Sequence, residues 1–170
     1  MILGKKEVLQ KLEKLSQMDI YDATEEAIQF VRSQAVSNVP VDSGELQQSI
    51  YAETENTEGG TRGACFTNKK YAPYVELGTG PVGQENHSGI SPNISVSYTQ
   101  HPWWIHEGTG ENEVDRATAE KYGWFYINTP QGRFYQCSGQ PAQPFMYPAL
   151  ANHTDEIEEI YAKKIREEMK

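Results

Sequence analysis

Apolar residues recur at helical spacing in the first forty positions of the chain. In the first segment Lys and Glu separate apolar residues that fall at steps of three and four, namely Val8, Leu9, Leu12, Leu15 and Met18. A second helix is predicted within residues 22–36, with Asp22 as its N-cap, Glu25 completing a capping box and Pro40 ending it. Its apolar face comprises Ala27, Ile28, Val31 and Ala35. The pattern therefore predicts two amphipathic helices in succession.

The next segment has the pattern of a β-hairpin between two turns. Residues 49–55 and 61–67 are predicted strands, and Gly59 and Gly60 between them favour a tight turn. Before them, the turn residues around Gly44 introduce a short helical or extended piece. After them, residues 69–80 are predicted to form a short helix or turn that Gly78 closes.

The rest of the chain is irregular until its last helix. Residues beyond Pro81 are rich in Gly, Pro, Asn and Ser, with a small helix near residues 113–123 and a clear strand–turn–strand pattern over residues 124–137. A closing helix is predicted after Pro148, with an apolar stripe of Leu150, Ile157, Ile160, Tyr161 and Ile165.

This order of elements predicts an α+β fold. We expect an antiparallel β-sheet packed against two N-terminal helices and a long C-terminal helix, with a loop and hairpin insertion. The predicted organisation is a single domain over residues 1–170, with the insertion at about 81–139.

Charge and composition exclude several classes of protein. Fifteen basic and 24 acidic residues give a net charge of −9, which disfavours wrapping of nucleic acid. The N-terminal stretch lacks an apolar core, so no secretory signal is expected, and no stretch has the roughly 20 apolar residues of a membrane span. The two cysteines, Cys65 and Cys137, are expected to be reduced thiols in an intracellular protein, and their spacing does not show whether they lie near each other.

The tripeptide Gly-Thr-Gly occurs twice, at residues 78–80 and 108–110. Glycines at 78, 80 and 83 resemble the start of a phosphate loop, but Pro81 follows at once and no Lys is placed to contact a phosphate. The second copy fails the same test. We therefore expect turns at both places, with no nucleotide or other cofactor.

Two histidines provide the only candidate catalytic chemistry. His101 and His106 are five residues apart and lie beside Glu107, a spacing that fits a zinc site loosely. A small metal-dependent hydrolase using these three residues is therefore one alternative. The other interpretation, which we prefer, is that the histidines belong to an aromatic contact surface and that the chain has no catalytic or metal site. No serine or cysteine has the sequence context of a nucleophile.

An aromatic cluster surrounds these histidines. It consists of Trp103, Trp104, Trp124, Phe125, Tyr126, Phe134 and Tyr135. Such a cluster needs a packing partner, either as a small satellite core or as anchors of a protein–protein interface. A monomeric binding module that uses Trp103 and Trp104 is a further alternative.

Three stretches together resemble a known family. They are "VPVDSGELQQSI" (39–50), "YAPYVELGTG" (71–80) and "QPAQPFMYPAL" (140–150). In this order they are similar to the HK97 gp10-like family of tailed phages, whose members are tail-completion or head–tail joining proteins of siphophages and prophages. The resemblance extends from the N-terminus to about Gly80 and from about Gln140 to the end. In shorter members the Gly-Thr-Gly turn leads almost directly to the Pro-Phe segment.

The resemblance implies a structural protein of the virion neck and tail without catalytic activity, assembled in the host bacterial cytoplasm. Members form homo-oligomeric rings around the DNA channel, and we expect a hexamer here. The implied partners are tail terminator or tail tube proteins and head–tail connector or stopper proteins. DNA would pass through without specific binding, helped by carboxylates that repel it, and no membrane would be involved.

The family motifs also imply structural roles for single residues. Pro40 and Gly44 would fix the chain between helix and sheet. Tyr71, Tyr74 and Gly78 would pack the short helix against the sheet. A further set would direct the chain into the last helix, with Phe145 in the core: Pro144, Phe145 and Pro148.

Overall fold

The computed structural model describes residues 5–16, 18–40, 43–110 and 112–169. It is a mixed α+β protein, as the sequence predicts. The chain divides into two compact units, the first formed by residues 1–70 and 145–170 and the second by residues 71–144. Each unit is described by itself, and the organisation as a single domain with an insertion at about 81–139 stays a prediction.

The helices and strands are as follows. The first unit contains α1 (Lys5–Ser16), α2 (Tyr21–Asn38), α3 (Glu45–Gln48), β1 (Ile50–Thr57), β2 (Gly60–Thr67) and, after the second unit, α7 (Met146–Ala151) and α8 (Thr154–Glu168). The second unit contains α4 (Ala72–Leu77), α5 (Gly80–Glu85), β3 (Trp103–Glu107), β4 (Glu113–Val114), α6 (Arg116–Lys121), β5 (Tyr126–Thr129) and β6 (Gly132–Cys137).

The core of the first unit lies between α2 and the hairpin of β1 and β2. The two strands pair antiparallel from Ile50 opposite Thr67 to Thr57 opposite Gly60, which confirms the predicted hairpin. A Cβ atom at Gly63 would lie 3.0 Å from Cβ of Ile28, so glycine permits the helix to approach the sheet closely. The most buried residues of α2 and β1 are Ala23, Thr24, Ala27, Val31, Ala35 and Ile50.

The start of α2 differs from the prediction. The helix begins at Tyr21, so Asp22 lies within its first turn and is not the N-cap. The N-cap position is Ile20, whose side chain makes no capping hydrogen bond, and the backbone N–H of Tyr21 donates to Asp19 Oδ1 at 2.8 Å. The predicted capping box with Glu25 is therefore wrong, because the helix starts two residues too early for Asp22 to cap it.

The closing helix is broken into two. Phe145 is 1% exposed and precedes α7, which ends at Ala151, and α8 begins at Thr154. Pro148 lies within the first turn of α7, where a proline is tolerated. The predicted stripe is divided between the two helices, and its first residue, Leu150, is 53% exposed. On α8, the Tyr161 hydroxyl donates to Thr24 Oγ1 at 3.1 Å, which ties this helix to α2.

The first helix is present but its apolar face is uncovered. The side chains of Val8, Leu9 and Leu12 are each more than half exposed, and α1 has no buried residue. A 12-residue helix of this composition is marginal by itself in water. The stripe therefore has the form of a contact surface.

The second unit is built around a four-stranded sheet in the order β4-β3-β6-β5. The β5–β6 hairpin turns at Pro130 and Gln131, as the sequence predicts, and β3 pairs antiparallel with β6. The short β4 pairs parallel with β3 over two residue pairs, whereas β1–β2, β3–β6 and β5–β6 pair antiparallel as predicted. The pairing places His106 opposite Glu113, and the two side chains lie 3.2 Å apart.

Candidate interaction surfaces

The first Gly-Thr-Gly stretch is a crossing of two backbone segments. Thr79 N–H donates to the carbonyl of Gln140 at 2.9 Å, and Gln140 N–H donates to the carbonyl of Thr79 at 3.1 Å. Gly78 and Gly80 have φ values of 75° and 60°, and a Cβ at either position would lie 2.7 Å from a backbone atom. Glycine is needed here for close approach and a left-handed backbone, and the Thr79 amide already donates to a carbonyl within the chain.

The second Gly-Thr-Gly stretch has a different structure. It follows a strand, β3, whereas the first follows a helix, α4. Gly108 N–H donates to the carbonyl of Val114 at 3.0 Å, and Gly110 N–H donates to Glu113 Oε2 at 2.9 Å. These amides already have acceptors within the chain, including a carboxylate, so the loop offers no anion cradle.

The histidine pair does not form a metal centre with Glu107. His106 and Glu107 are consecutive on β3, so their side chains point to opposite faces of the sheet. His106 lies 3.2 Å from Glu113 Oε1 through Nδ1 and 3.2 Å from the Gln131 carbonyl through Nε2. Among the described residues, no group of three or more His, Cys, Asp or Glu side chains is placed to hold a metal ion. The hydrolase alternative therefore has no supporting site in these parts of the chain.

Glu107 is instead the centre of a polar cluster. The Tyr135 hydroxyl donates to Glu107 Oε2 at 2.7 Å, Arg116 Nη2 donates to Oε1 at 3.0 Å, and Arg133 Nη1 lies 3.6 Å from Oε2. The hydrogen bond from Tyr135 and then that from Arg116 lower the pKa of Glu107. The Arg133 guanidinium lies 4.4 Å from the ring centroid of Tyr126. Every member of the cluster has a partner, which is typical of a structural network.

The aromatic cluster is divided by the sheet. Trp103 lies opposite Cys137 and Ile105 opposite Tyr135, so these residues share one face, on which Tyr135 is 1% exposed. This side corresponds to the predicted satellite core. Trp103 also packs against Gly80, since a Cβ there would lie 2.8 Å from its ring.

The other side of this sheet is exposed. Trp104 is 43%, Phe125 64% and Ile127 39% exposed, and the rings of Trp104 and Phe125 are 6.1 Å apart. Ile127 lies opposite Phe134 in the register of the hairpin, on the same side as Trp104. We call Trp104, Phe125, Ile127 and Phe134 the aromatic face. Exposed aromatic residues in contact with one another are typical of a protein-binding surface.

A second exposed surface lies on the hairpin of the first unit. Tyr51 and Phe66 are directly opposite each other on the side away from α2, with ring centroids 5.9 Å apart and exposed fractions of 45% and 37%. The strand periodicity places four more residues on this side, and we call the six the outer hairpin face: Tyr51, Glu53, Glu55, Arg62, Ala64 and Phe66. The sequence prediction did not single out Tyr51 or Phe66. The signal was present, because both alternate with residues that face the core.

The structural candidates from the sequence occupy several different environments. Pro40 follows the end of α2, and Gly44 has a φ of 78° directly before α3. Tyr71 and Tyr74 are 40% and 59% exposed, and the expected packing of these rings against the sheet stays a prediction. The six-residue α4 is held by its backbone, since Gln143 N–H donates to the Val75 carbonyl at 2.8 Å. An interface role for the two tyrosines stays a prediction.

The remaining candidates are the residues that lead into α7 and the two cysteines. Phe145 is buried in the first unit, as expected, and Pro144 precedes it as the last residue of the second. Cys65 and Cys137 are free thiols, and burial raises the pKa of both. Cys65 Sγ lies 3.9 Å from Met146 Sδ within the first unit, whereas Cys137 belongs to the second.

Comparison with known families identifies the first part of the chain. Residues 6–78 match the model of the HK97-gp10-like family, described as "Bacteriophage HK97-gp10, putative tail-component". This segment is similar to that family. The match supports the resemblance over its first two motifs and ends at the first glycine of the Gly-Thr-Gly turn, so the third motif, at residues 140–150, lies outside it. Neither the curated proteins nor the solved structures gave a match. In the described residues, no helix combines the length and the apolar character that a membrane span requires.

Proposed function

We propose that this chain is a structural component of a phage tail that acts at the neck, where it completes the tail and joins it to the head. The observation that carries the proposal is the family match over residues 6–78, whose description is that of a phage tail component. In this proposal the chain assembles as a homo-oligomeric ring, a hexamer, around the DNA channel. It is assembled in the host cytoplasm and remains in the virion.

The distribution of exposed apolar surface supports an assembling protein. The stripe of α1 and the outer hairpin face lie in the first unit, and the aromatic face lies in the second. A monomeric protein rarely leaves several apolar patches in water, since each favours association. We assign the aromatic face to contacts with neighbouring tail terminator, tail tube, connector or stopper proteins.

The charge of the chain supports passage of DNA without binding. The net charge of −9 disfavours contact with phosphates, because affinity for DNA comes largely from clustered Lys and Arg. In the proposed ring, acidic side chains along the channel would repel the DNA backbone. In the Glu107 cluster one carboxylate is paired with two guanidinium groups, so this cluster would add nothing to the negative field.

The test is removal of the gene from the phage or prophage that carries it. Electron microscopy of lysates is expected to show filled heads and separate tails, or tails of abnormal length, and a wild-type copy in trans should restore joined particles. A copy carrying Trp104→Ala and Phe125→Ala should restore them poorly, whereas one carrying Gln100→Ala, an exposed residue outside the aromatic face, should restore them fully. Normal infectious virions without the gene would refute the proposal.

A further inference from the structure

We propose that the apolar stripe of α1 from one copy of this chain packs on the outer hairpin face of the next copy. The inference deepens the proposed function, since it names the contact by which the ring would close. The two surfaces lie on different parts of the same chain, so the contact is head-to-tail and repeats from subunit to subunit.

The helix and the hairpin match in length, and the hairpin has one face that a helix could cover. A 12-residue helix is about 18 Å long, and eight-residue strands span about 26 Å, so α1 fits along the hairpin. On the inner side of the hairpin, α2 already provides one helix layer. A two-stranded sheet with one face uncovered is marginal, and a helix on its second face completes a packed layer.

The apolar centres of the two surfaces are complementary in chemistry. Val8, Leu9, Leu12 and Leu15 lie on one side of α1, and all are at least 37% exposed. On the hairpin, the pair of Tyr51 and Phe66 presents flat rings beside Ala64. Burial of aliphatic side chains against aromatic rings would remove from water the surface that both elements leave exposed.

The charges at the borders of the two surfaces also match. Helical spacing puts Lys5 within the stripe, Lys11 along one border and Glu13 along the other. On the outer hairpin face, Glu53 and Glu55 follow Tyr51 along β1, whereas Arg62 lies on β2. Lysine beside the acidic strand would give opposite charges along one border, and along the other Glu13 would approach Arg62, which also pairs with Glu55 at 3.4 Å within the hairpin.

A charge-reversal exchange between copies tests the contact. Lys11→Glu and Glu53→Lys each place like charges across the proposed interface, and each should weaken self-association measured by analytical ultracentrifugation about tenfold. An equimolar mixture of the two variants contains only opposite-charge interfaces when the copies alternate, and it should associate as wild type does. A contact within one chain would gain nothing from mixing, so failure of the mixture to recover would overturn the proposal.

The apolar part of the contact is tested with a matched pair on α1. Leu12→Ser lies at the centre of the stripe and should abolish association over the range where wild type associates, while Gln10→Ser on the opposite side should not change it. Both residues are exposed, so circular dichroism should show an unchanged fold. The inference would be overturned if Leu12→Ser associated as wild type does, as expected for pairing of free strand edges. It would also be overturned if the wild-type protein stayed monomeric.

The outcome is independent of the proposed function. Association that responds to these substitutions, together with normal virions after gene deletion, would retain the contact and refute the tail role. Separate heads and tails after deletion, together with association unaffected by charge reversal, would retain the tail role and refute the contact.

Discussion

The glycines at the backbone crossing show how a single residue can determine local structure. At Gly139, with a φ of 88°, an added Cβ would lie 1.9 Å from the carbonyl oxygen of Thr79. We therefore expect Gly139→Ala to destabilise the second unit by about 2 kcal/mol or more, because two backbone segments must separate to admit the methyl group. Urea denaturation followed by tryptophan fluorescence measures this loss, since all three tryptophans lie in residues 71–144.

The control for this substitution is another glycine with positive φ. Gly123 has a φ of 64° and open space around the position of a Cβ. Gly123→Ala should therefore cost only about 1 kcal/mol, the price of the left-handed backbone. Equal losses in the two variants would show that the crossing at Thr79 and Gln140 does not constrain the fold.

Also at the scale of single residues, Glu107 leads to a prediction about how stability depends on pH. Its pKa is lowered in the folded protein, so its contribution to stability is complete above the ordinary glutamate value of 4.5 and is lost as the pH falls through the folded value. Glu107→Gln should be less stable than wild type at pH 7, because Arg116 and Arg133 lose their shared carboxylate. The difference between the two proteins should shrink as the pH falls below 4.5.

Thermal unfolding of both proteins between pH 3 and 7 measures this convergence. Glu120→Gln is the matched control, as an exposed carboxylate on the neighbouring α6. It should be as stable as wild type throughout. A Glu107→Gln protein that differs from wild type by the same amount at every pH would contradict the role given to the carboxylate.

At the scale of elements, the segment around α7 depends on one buried ring. Phe145 is 1% exposed, and Asn38 Nδ2 donates to its carbonyl at 3.5 Å, so the residue holds the returning chain to the end of α2. Phe145→Ala should destabilise the first unit by about 3–5 kcal/mol through the cavity that it leaves. Leu150→Ala, on the same helix but 53% exposed, should change stability by less than about 0.5 kcal/mol. Far-UV circular dichroism in urea measures both.

How far the sequence predicts an element depends on how local its determinants are. The β1–β2 and β5–β6 hairpins were predictable because glycine, proline and alternating side chains specify them within a few residues. The break between α7 and α8 was not, since both segments have helical periodicity and the interruption comes at Asn152 and His153. The parallel pairing of β4 depends on a loop that returns to His106, and periodicity carries no information about such a pairing.

The same distinction applies to the candidate surfaces. The aromatic residues of the second unit were recognisable as a cluster, but the sheet register decides that Trp103 and Tyr135 lie on one side and Trp104 on the other. The exposed stripe of α1 was predicted as an amphipathic face, whereas its lack of a covering element is a property of the folded unit. Amphipathicity alone therefore identified the residues but not what covers them.

At the scale of the whole molecule, the two units provide the last prediction. Contacts concentrate within residues 1–70 with 145–170 and within residues 71–144, and the chain passes between the units only at residues 70–71 and 144–145. Compact units with their own internal contacts can open separately, so each unit should unfold as its own cooperative element. Because the tryptophans report on the second unit and α2 and α8 dominate the helical signal of the first, two probes can follow the two units.

We expect the urea transition seen by tryptophan fluorescence and that seen by far-UV circular dichroism to separate in the two core variants. Phe145→Ala should shift the circular dichroism midpoint and leave the fluorescence midpoint near that of wild type, and Gly139→Ala should do the reverse. If the chain is one cooperative domain, both variants shift both midpoints together, because a two-state protein gives coincident transitions with every probe. Coincidence in both variants would therefore show that residues 71–144 fold as one domain with residues 1–70 and 145–170, and not as a unit with its own stability.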